Sequence, residues 1–197
     1  MGVDGGESQG LRQRKRRETE RRIVDTALLL FIRNGYDETR LDEIATAAGI
    51  SRRTFFNYFA SKDEILLSLE SGMGDQLAGA LRAQPDDKEP LSAVRDAIVA
   101  ELARYPAADM IAIDRLMRSN AAVQARKLAS YVIHERTLFA AMREKWPAPD
   151  REASLRLVAM MAIGALRLSL EAFGREGGAR PVAEILRETF AALERRN

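Results

Sequence analysis

Arg52, Arg53, Thr54 and Asn57 fall within one six-residue stretch, 52–57. Each has a side chain able to read the edge of a base. Arginine donates two hydrogen bonds to guanine, asparagine pairs bidentately with adenine, and threonine offers its methyl to thymine. Phe55 and Phe59 are spaced four apart and give the same short helix an apolar face for anchoring. Tyr58 and Lys62 suit phosphate or sugar contacts, which position a protein on a duplex without reading sequence.

Charge points the same way. The whole chain carries 31 Lys/Arg against 29 Asp/Glu, a net of +2, but residues 1–62 hold 12 against 9 and residues 63–197 hold 19 against 20. Arg12, Arg14, Lys15, Arg16, Arg17, Arg21 and Arg22 form one basic block that attracts a polyanion, with Arg16 and Arg17 as expected DNA contacts. A solvated helix face would use the same residue types; the block, the helix spacing and the capping residues favour DNA.

Other chemistries lack their residues. There is no cysteine, which removes disulfides, thiol catalysis and cysteine-ligated metal. His134 is the one histidine, so no metal and no cofactor is expected, and His134 reads as a surface or satisfied core side chain. The pairs Asp42/Glu43 and Asp63/Glu64 sit at helix starts, where capping explains them better than acid–base work. No glycine-rich phosphate loop, HExxH pair or nucleophile–base arrangement is present, so an enzyme is not expected. Residues 1–10 lack an apolar core for a signal peptide, and the longest apolar run, Leu157–Leu166, is too short for a bilayer. A cytoplasmic protein without membrane partners is expected.

The elements that must position these residues are helices; the fold class is all-α. Residues 1–17 are expected to be a basic flexible arm, 18–64 a three-helix domain with a helix-turn-helix, and 65–197 a larger helical domain. The first helix is expected from Glu18 to Asn34, ending at Gly35, with Ile23, Val24, Ala27, Leu28 and Phe31 on one face. Thr39 is expected to cap a helix over Leu41–Ala48 and to reach DNA; Gly49 breaks it, Ile50 plugs between helices, and Ser51 caps Arg52–Phe59. Ser61 to Glu64 matches a capping box opening one helix to Leu81 with Ile65, Leu66, Leu69, Met73 and Leu77 inward. After a linker at Gln84–Pro90, helices are expected to end before Pro106, then over Asp109–Arg118, Ala121–Trp146, Arg151–Phe173 and Pro181–Arg195.

Residues 18–66 closely resemble the DNA-binding domain of the TetR family of bacterial transcriptional regulators. The matching pieces are Ala27 to Tyr36, Leu41 to Ser51, Thr54 to Phe59 and Ser61 to Leu66. Arg53, Phe56 and Tyr58 depart from the family pattern, which has glycine, tyrosine and histidine there. Phe56 lacks the tyrosine hydroxyl that contacts phosphate, and Tyr58 or Arg53 stands as its replacement.

The resemblance implies a homodimer whose last two long helices pair across a two-fold axis, with two reading helices on a palindromic double-stranded operator. The candidate interface residues are Leu155, Ala159, Ala162, Leu166, Leu170, Leu186 and Phe190. The 151–173 helix is apolar around much of its circumference, which calls for burial on several sides, by a partner or wholly within a monomer. It also implies release by a small-molecule effector. Met73, Met110, Met117, Phe139 and Met142 could shape an apolar pocket or plain core. Arg118, with Arg115, Arg126 and Lys127, could meet an anionic group, and residues 114–138 resemble members answering to acyl-type or coenzyme A-linked ligands. The leading expectation is a ligand-responsive repressor. The alternatives are an architectural or activating DNA-binding protein, an all-helical enzyme and a helical scaffold.

Overall fold

The computed structural model describes residues 4–118 and 121–194, with side chains from Gly10 onward except at 69–71 and 122. The expected end of the last helix, Arg195, and the inward side chain of Leu69 lie outside that set. The described residues are all-helical and divide into two compact units, 1–69 and 70–197. The division falls at Leu69, five residues beyond the expected boundary.

The first unit holds α1 (Asp4–Asn34), α2 (Leu41–Ala47), α3 (Arg52–Phe56) and most of α4 (Lys62–Ser71). Ile23, Val24, Ala27 and Phe31 of α1 are buried, as are Ile44, Phe55, Phe59, Ile65 and Leu66. Leu28, expected with them, is only partly buried, because its position turns away from the Ile23–Ala27 line. The expected flexible arm is helix instead: α1 begins fourteen residues before Glu18 and extends about 46 Å at 1.5 Å per residue. Glycines suggested flexibility there. Against them stand the good helix formers Leu11 to Arg17 and one (i, i+4) ion pair that reaches the arm, Arg14 with Glu18 at 3.2 Å.

The second unit contains α5 (Met73–Arg82), α6 (Pro90–Leu102), α7 (Ala107–Arg118), α8 (Ala121–Lys145), a 3-10 turn at Pro149–Arg151, α9 (Glu152–Arg175) and α10 (Val182–Glu194). The single helix expected from Ser61 to Leu81 is two, broken at Gly72. Gly74 explains the tight fit that follows: a Cβ there would lie 3.2 Å from the His134 ring on α8. His134 is itself buried, edge-on to Tyr131.

α9 is the centre of this unit and packs on α6, α8 and α10. Over part of its length it is apolar enough to cross a bilayer by composition, more than its ten-residue uninterrupted run suggests. Its side chains Leu155, Ala159, Ala162, Ile163 and Leu166 lie in the core with Leu186 and Phe190 of α10. Ser169 donates to the Ala165 carbonyl at 2.8 Å and meets the Thr189 hydroxyl at 3.1 Å, which satisfies the polar groups between these helices. The 84–90 linker is pinned: Lys145 donates to the Gln84 carbonyl at 2.7 Å, and Trp146 to that of Asp86 at 3.3 Å.

Candidate nucleic-acid interface

The turn between α2 and α3 is built by the chain itself. Gly49 takes φ +67, a left-handed conformation that glycine adopts without a Cβ clash. Its N–H bonds to the Thr46 carbonyl at 3.0 Å, and the Ile50 N–H reaches back to Ala45 at 3.0 Å. These two bonds close α2 as a Schellman motif. Ser51 then caps α3, its hydroxyl accepting the Thr54 N–H at 3.0 Å. α3 ends at Phe56, three residues earlier than expected, and Asn57 and Tyr58 continue as a turn that returns Phe59 to the core.

Around this frame the expected residues separate. Arg53 and Asn57 are exposed and have no side-chain partner among the described residues. Arg52 is also exposed, but its guanidinium bonds to Asp42 at 3.1 Å and lies 5.6 Å from the centre of the Phe56 ring. Thr54 is half-buried, with its hydroxyl 2.8 Å from that of Ser51. Arg16 stacks over Tyr58 at 5.2 Å, which ties the basic stretch of α1 to the end of α3. Arg17, one position on, is turned away by about 100° around the helix.

Two expected contacts are corrected. Thr39 is only 1% exposed and does not cap α2. Its hydroxyl donates to the carbonyls of Gly35 at 2.7 Å and Leu30 at 3.3 Å, so it closes the end of α1 and faces no solvent. Arg40 occupies the cap position of α2, its N–H bonded to the Glu43 carboxylate at 3.2 Å. Lys62 is likewise engaged. Its ammonium donates to the carbonyls of Tyr36 at 2.6 Å and Asp37 at 3.1 Å and sits over the Tyr36 ring at 4.6 Å. It is a positioning residue that joins the start of α4 to the turn after α1. Tyr36 donates to Asp63; burial first, and then this bond and the carboxylate's charge, push the phenol well above its ordinary value.

Sequence reasoning missed Phe56. Its ring is 43% exposed, while Phe55 and Phe59 are buried. The signal was present: Phe55 and Phe59 take the core face, and Phe56 follows Phe55 by one residue, about 100° around the helix.

The second unit changes the other assignments. Leu155, Ala159, Ala162, Leu166, Leu186 and Phe190 are buried within the unit, so they are core and face no partner; Leu170 is half-buried. The exposed apolar side chains of α9 are Leu157, Met160 and Leu168, with Gly164 on the same stripe. Met117 and Met142 are buried, and Met73, Met110 and Phe139 are partly buried against the core. The Arg118 guanidinium bonds to Asp114 at 2.7 Å, and Lys127 lies 3.6 Å from the same carboxylate. No group of three His, Cys, Asp or Glu suited to a metal occurs among the described residues.

Residues 23–69 match the family of bacterial regulatory proteins named for TetR, and residues 88–197 match the MftR C-terminal domain. The chain is 38% identical over 105 residues to the HTH-type transcriptional regulator TcmR of Streptomyces glaucescens, over 53% of this chain and 46% of that one. It is 35% identical over 132 residues to MftR of Mycobacterium tuberculosis, a transcriptional regulator assigned to mycofactocin biosynthesis, over 66% of this chain and 63% of that one. The chain thus spans about half to two thirds of the length of these relatives. Among solved structures it is similar to Thermus thermophilus FadR, a TetR-family repressor in complex with lauroyl-CoA. That likeness has 27% identity and a TM-score of 0.57, over 88% of this chain and 92% of that one. A TetR-family regulator from Mesorhizobium loti shares the fold at TM-score 0.62 and 22% identity, over 90% and 94% of the two chains.

Proposed function

The chain belongs to the TetR family of bacterial transcriptional regulators, and from that premise we propose that it is a ligand-responsive repressor binding a palindromic operator as a homodimer. The observation that carries this reading is the pair Arg53 and Asn57. Both project without a side-chain partner among the described residues, Arg53 from a helix start fixed by the Gly49 turn and the Ser51 cap, and Asn57 from the turn that closes that helix. Arginine and asparagine in that setting read guanine and adenine edges. Arg16 and Tyr58 position the helix on the phosphate backbone, and Arg17 adds positive charge along the flank of α1. The protein acts where its DNA is, in the cytoplasm.

The dimer face is the exposed stripe of α9. Leu157, Met160 and Leu168 present apolar surface, and Gly164 between them lets a second helix come close. A two-fold dimer carries two reading helices at half-sites about 34–36 Å apart or a multiple of that. An effector held in the second unit favours a state with another spacing, which is a shift of population between two states. The partly buried Met73, Met110 and Phe139 beside the core suit an apolar, acyl-type effector. The likeness to a repressor crystallised with lauroyl-CoA supports that class.

The test is a binding assay against a duplex enriched by the protein from a random pool, with unrelated competitor DNA. Arg53→Ala and Asn57→Ala are each expected to weaken specific binding about tenfold or more while leaving competitor binding nearly unchanged. Equal loss on both DNAs would sink the base-reading assignment. Lauroyl-CoA, used as the probe effector, is expected to lower operator affinity; unchanged affinity across acyl chain lengths would leave a regulator without that response.

A further inference from the structure

We propose that Phe56 is a specificity-determining residue that reads the 5-methyl group of thymine in the major groove. This rests on the reading of α3 as the DNA-contacting helix. Three observations converge on it. The ring stands exposed beside Arg52, Arg53 and Asn57, on a face whose other members are hydrogen-bonding groups. It is held in place: Phe55 packs against it at 5.7 Å in an edge arrangement, and the Arg52 guanidinium, itself anchored by Asp42, lies over it at 5.6 Å. A phenylalanine has two side-chain torsions, so a ring already supported on two sides loses little freedom on binding.

The chemistry of the groove selects its target. Phenylalanine has no donor or acceptor, so it cannot bond a phosphate oxygen or a base heteroatom. Among the groups that base pairs present in the major groove, the thymine methyl is the apolar one. Thr54, the other residue suited to that methyl, is half-buried and its hydroxyl is occupied by Ser51. Asp42 thereby acts at one remove: it fixes Arg52, and Arg52 fixes the ring.

Uracil isolates the methyl, since deoxyuridine pairs with adenine through the same hydrogen bonds as thymidine and lacks only that group. The full-length protein first enriches a duplex from a random pool, and each thymidine of its half-sites is then replaced by deoxyuridine in turn. At one thymine per half-site the wild-type protein is expected to bind about fourfold more weakly, as for one apolar carbon withdrawn from contact. Phe56→Ala is expected to bind the thymidine and deoxyuridine duplexes equally at that position. Phe56→Leu, still apolar, keeps part of the discrimination, and Thr54→Ser keeps all of it. Wild-type binding insensitive to every such replacement would overturn the proposal and leave DNA reading intact, as would full sensitivity persisting in Phe56→Ala. Enrichment of no sequence at all would overturn both. If Phe56→Ala binds too weakly to scan, Phe56→Val is scanned instead; reduced methyl sensitivity supports the proposal and undiminished sensitivity overturns it.

Discussion

α3 and α9 hold their places by opposite means. α3 is five residues long, too short to be stable through its own hydrogen bonds. It is held by its ends, through the Ser51 cap, the Gly49 turn and the buried rings of Phe55 and Phe59. Between those supports Arg53 and Asn57 are free to face outward, while Arg52 rests on Asp42 and Thr54 on Ser51. α9 is 24 residues long and is held along its length by side chains buried against α6, α8 and α10. What it leaves exposed is a strip on which Leu157, Met160 and Leu168 stand among Arg156, Arg167 and Glu171. A helix fixed at its ends can spend its middle on recognition, whereas a helix fixed along its length has only the strip its neighbours do not cover.

The largest test of that contrast is Phe190→Ala, a cavity beside α9. It is expected to cost about 3–5 kcal/mol of stability, read by urea unfolding in a Leu157→Glu/Leu168→Glu background that removes dimerisation. A cost below about 1 kcal/mol in that monomeric background would restore Phe190 to an interface and break the contrast. Next is the exposed stripe itself. Leu168→Ala is expected to weaken the dimer by about 1.5–3 kcal/mol, seen by sedimentation as a shift toward the 22.0 kDa monomer, with the urea midpoint of the isolated monomer unmoved. A stability loss without dissociation would mean that α9 has no free side.

Smaller effects probe the ends in the first unit. Thr39→Val keeps the shape of the side chain and removes its hydroxyl, leaving the end of α1 with one fewer donor. The expected cost is about 1–2 kcal/mol of unfolding free energy, with operator affinity unchanged well below the melting temperature. An affinity loss without a stability loss would return Thr39 to the DNA surface.

The smallest is a pH effect at Tyr36. Its phenol stays neutral in the fold above the ordinary value of 10.0, because it is buried and donates to Asp63. The unfolded chain ionises first, so this stabilisation is whole below pH 10 and is lost as pH climbs beyond it. The gap in urea midpoint between wild type and Tyr36→Phe should therefore narrow between pH 9 and 11. Parallel decline of the two proteins would show that the contact protects nothing.

The same contrast explains what could be read from the residues alone. Gly49, Ser51 and the Phe55–Phe59 spacing act within a few residues, and each did in the fold what its chemistry required. Thr39 sits one residue before the true cap, and its hydroxyl is claimed by carbonyls at Leu30 and Gly35, a pairing that no capping pattern announces. Lys62 resembles a phosphate ligand by type and position, yet its ammonium is taken by a turn some 25 residues earlier in the chain. In α9, apolar side chains at nearly every angle made core and partner face indistinguishable until α6, α8 and α10 had covered one side. The start of α1 is obscured by Gly5, Gly6 and Gly10, residues of low helix propensity that nonetheless lie within the helix.

Several cations of the first unit are already spoken for. Lys62 rests on carbonyls, and Arg14, Arg21 and Arg52 each rest on a carboxylate. Such groups hold few anions from solution and displace few cations from a duplex when they approach it. The logarithmic salt slope of operator binding is therefore set by the flanking cations without a carboxylate partner among the described residues, Arg16 and Arg17 foremost, and is shallower than the 12 basic residues of the stretch 1–62 would give.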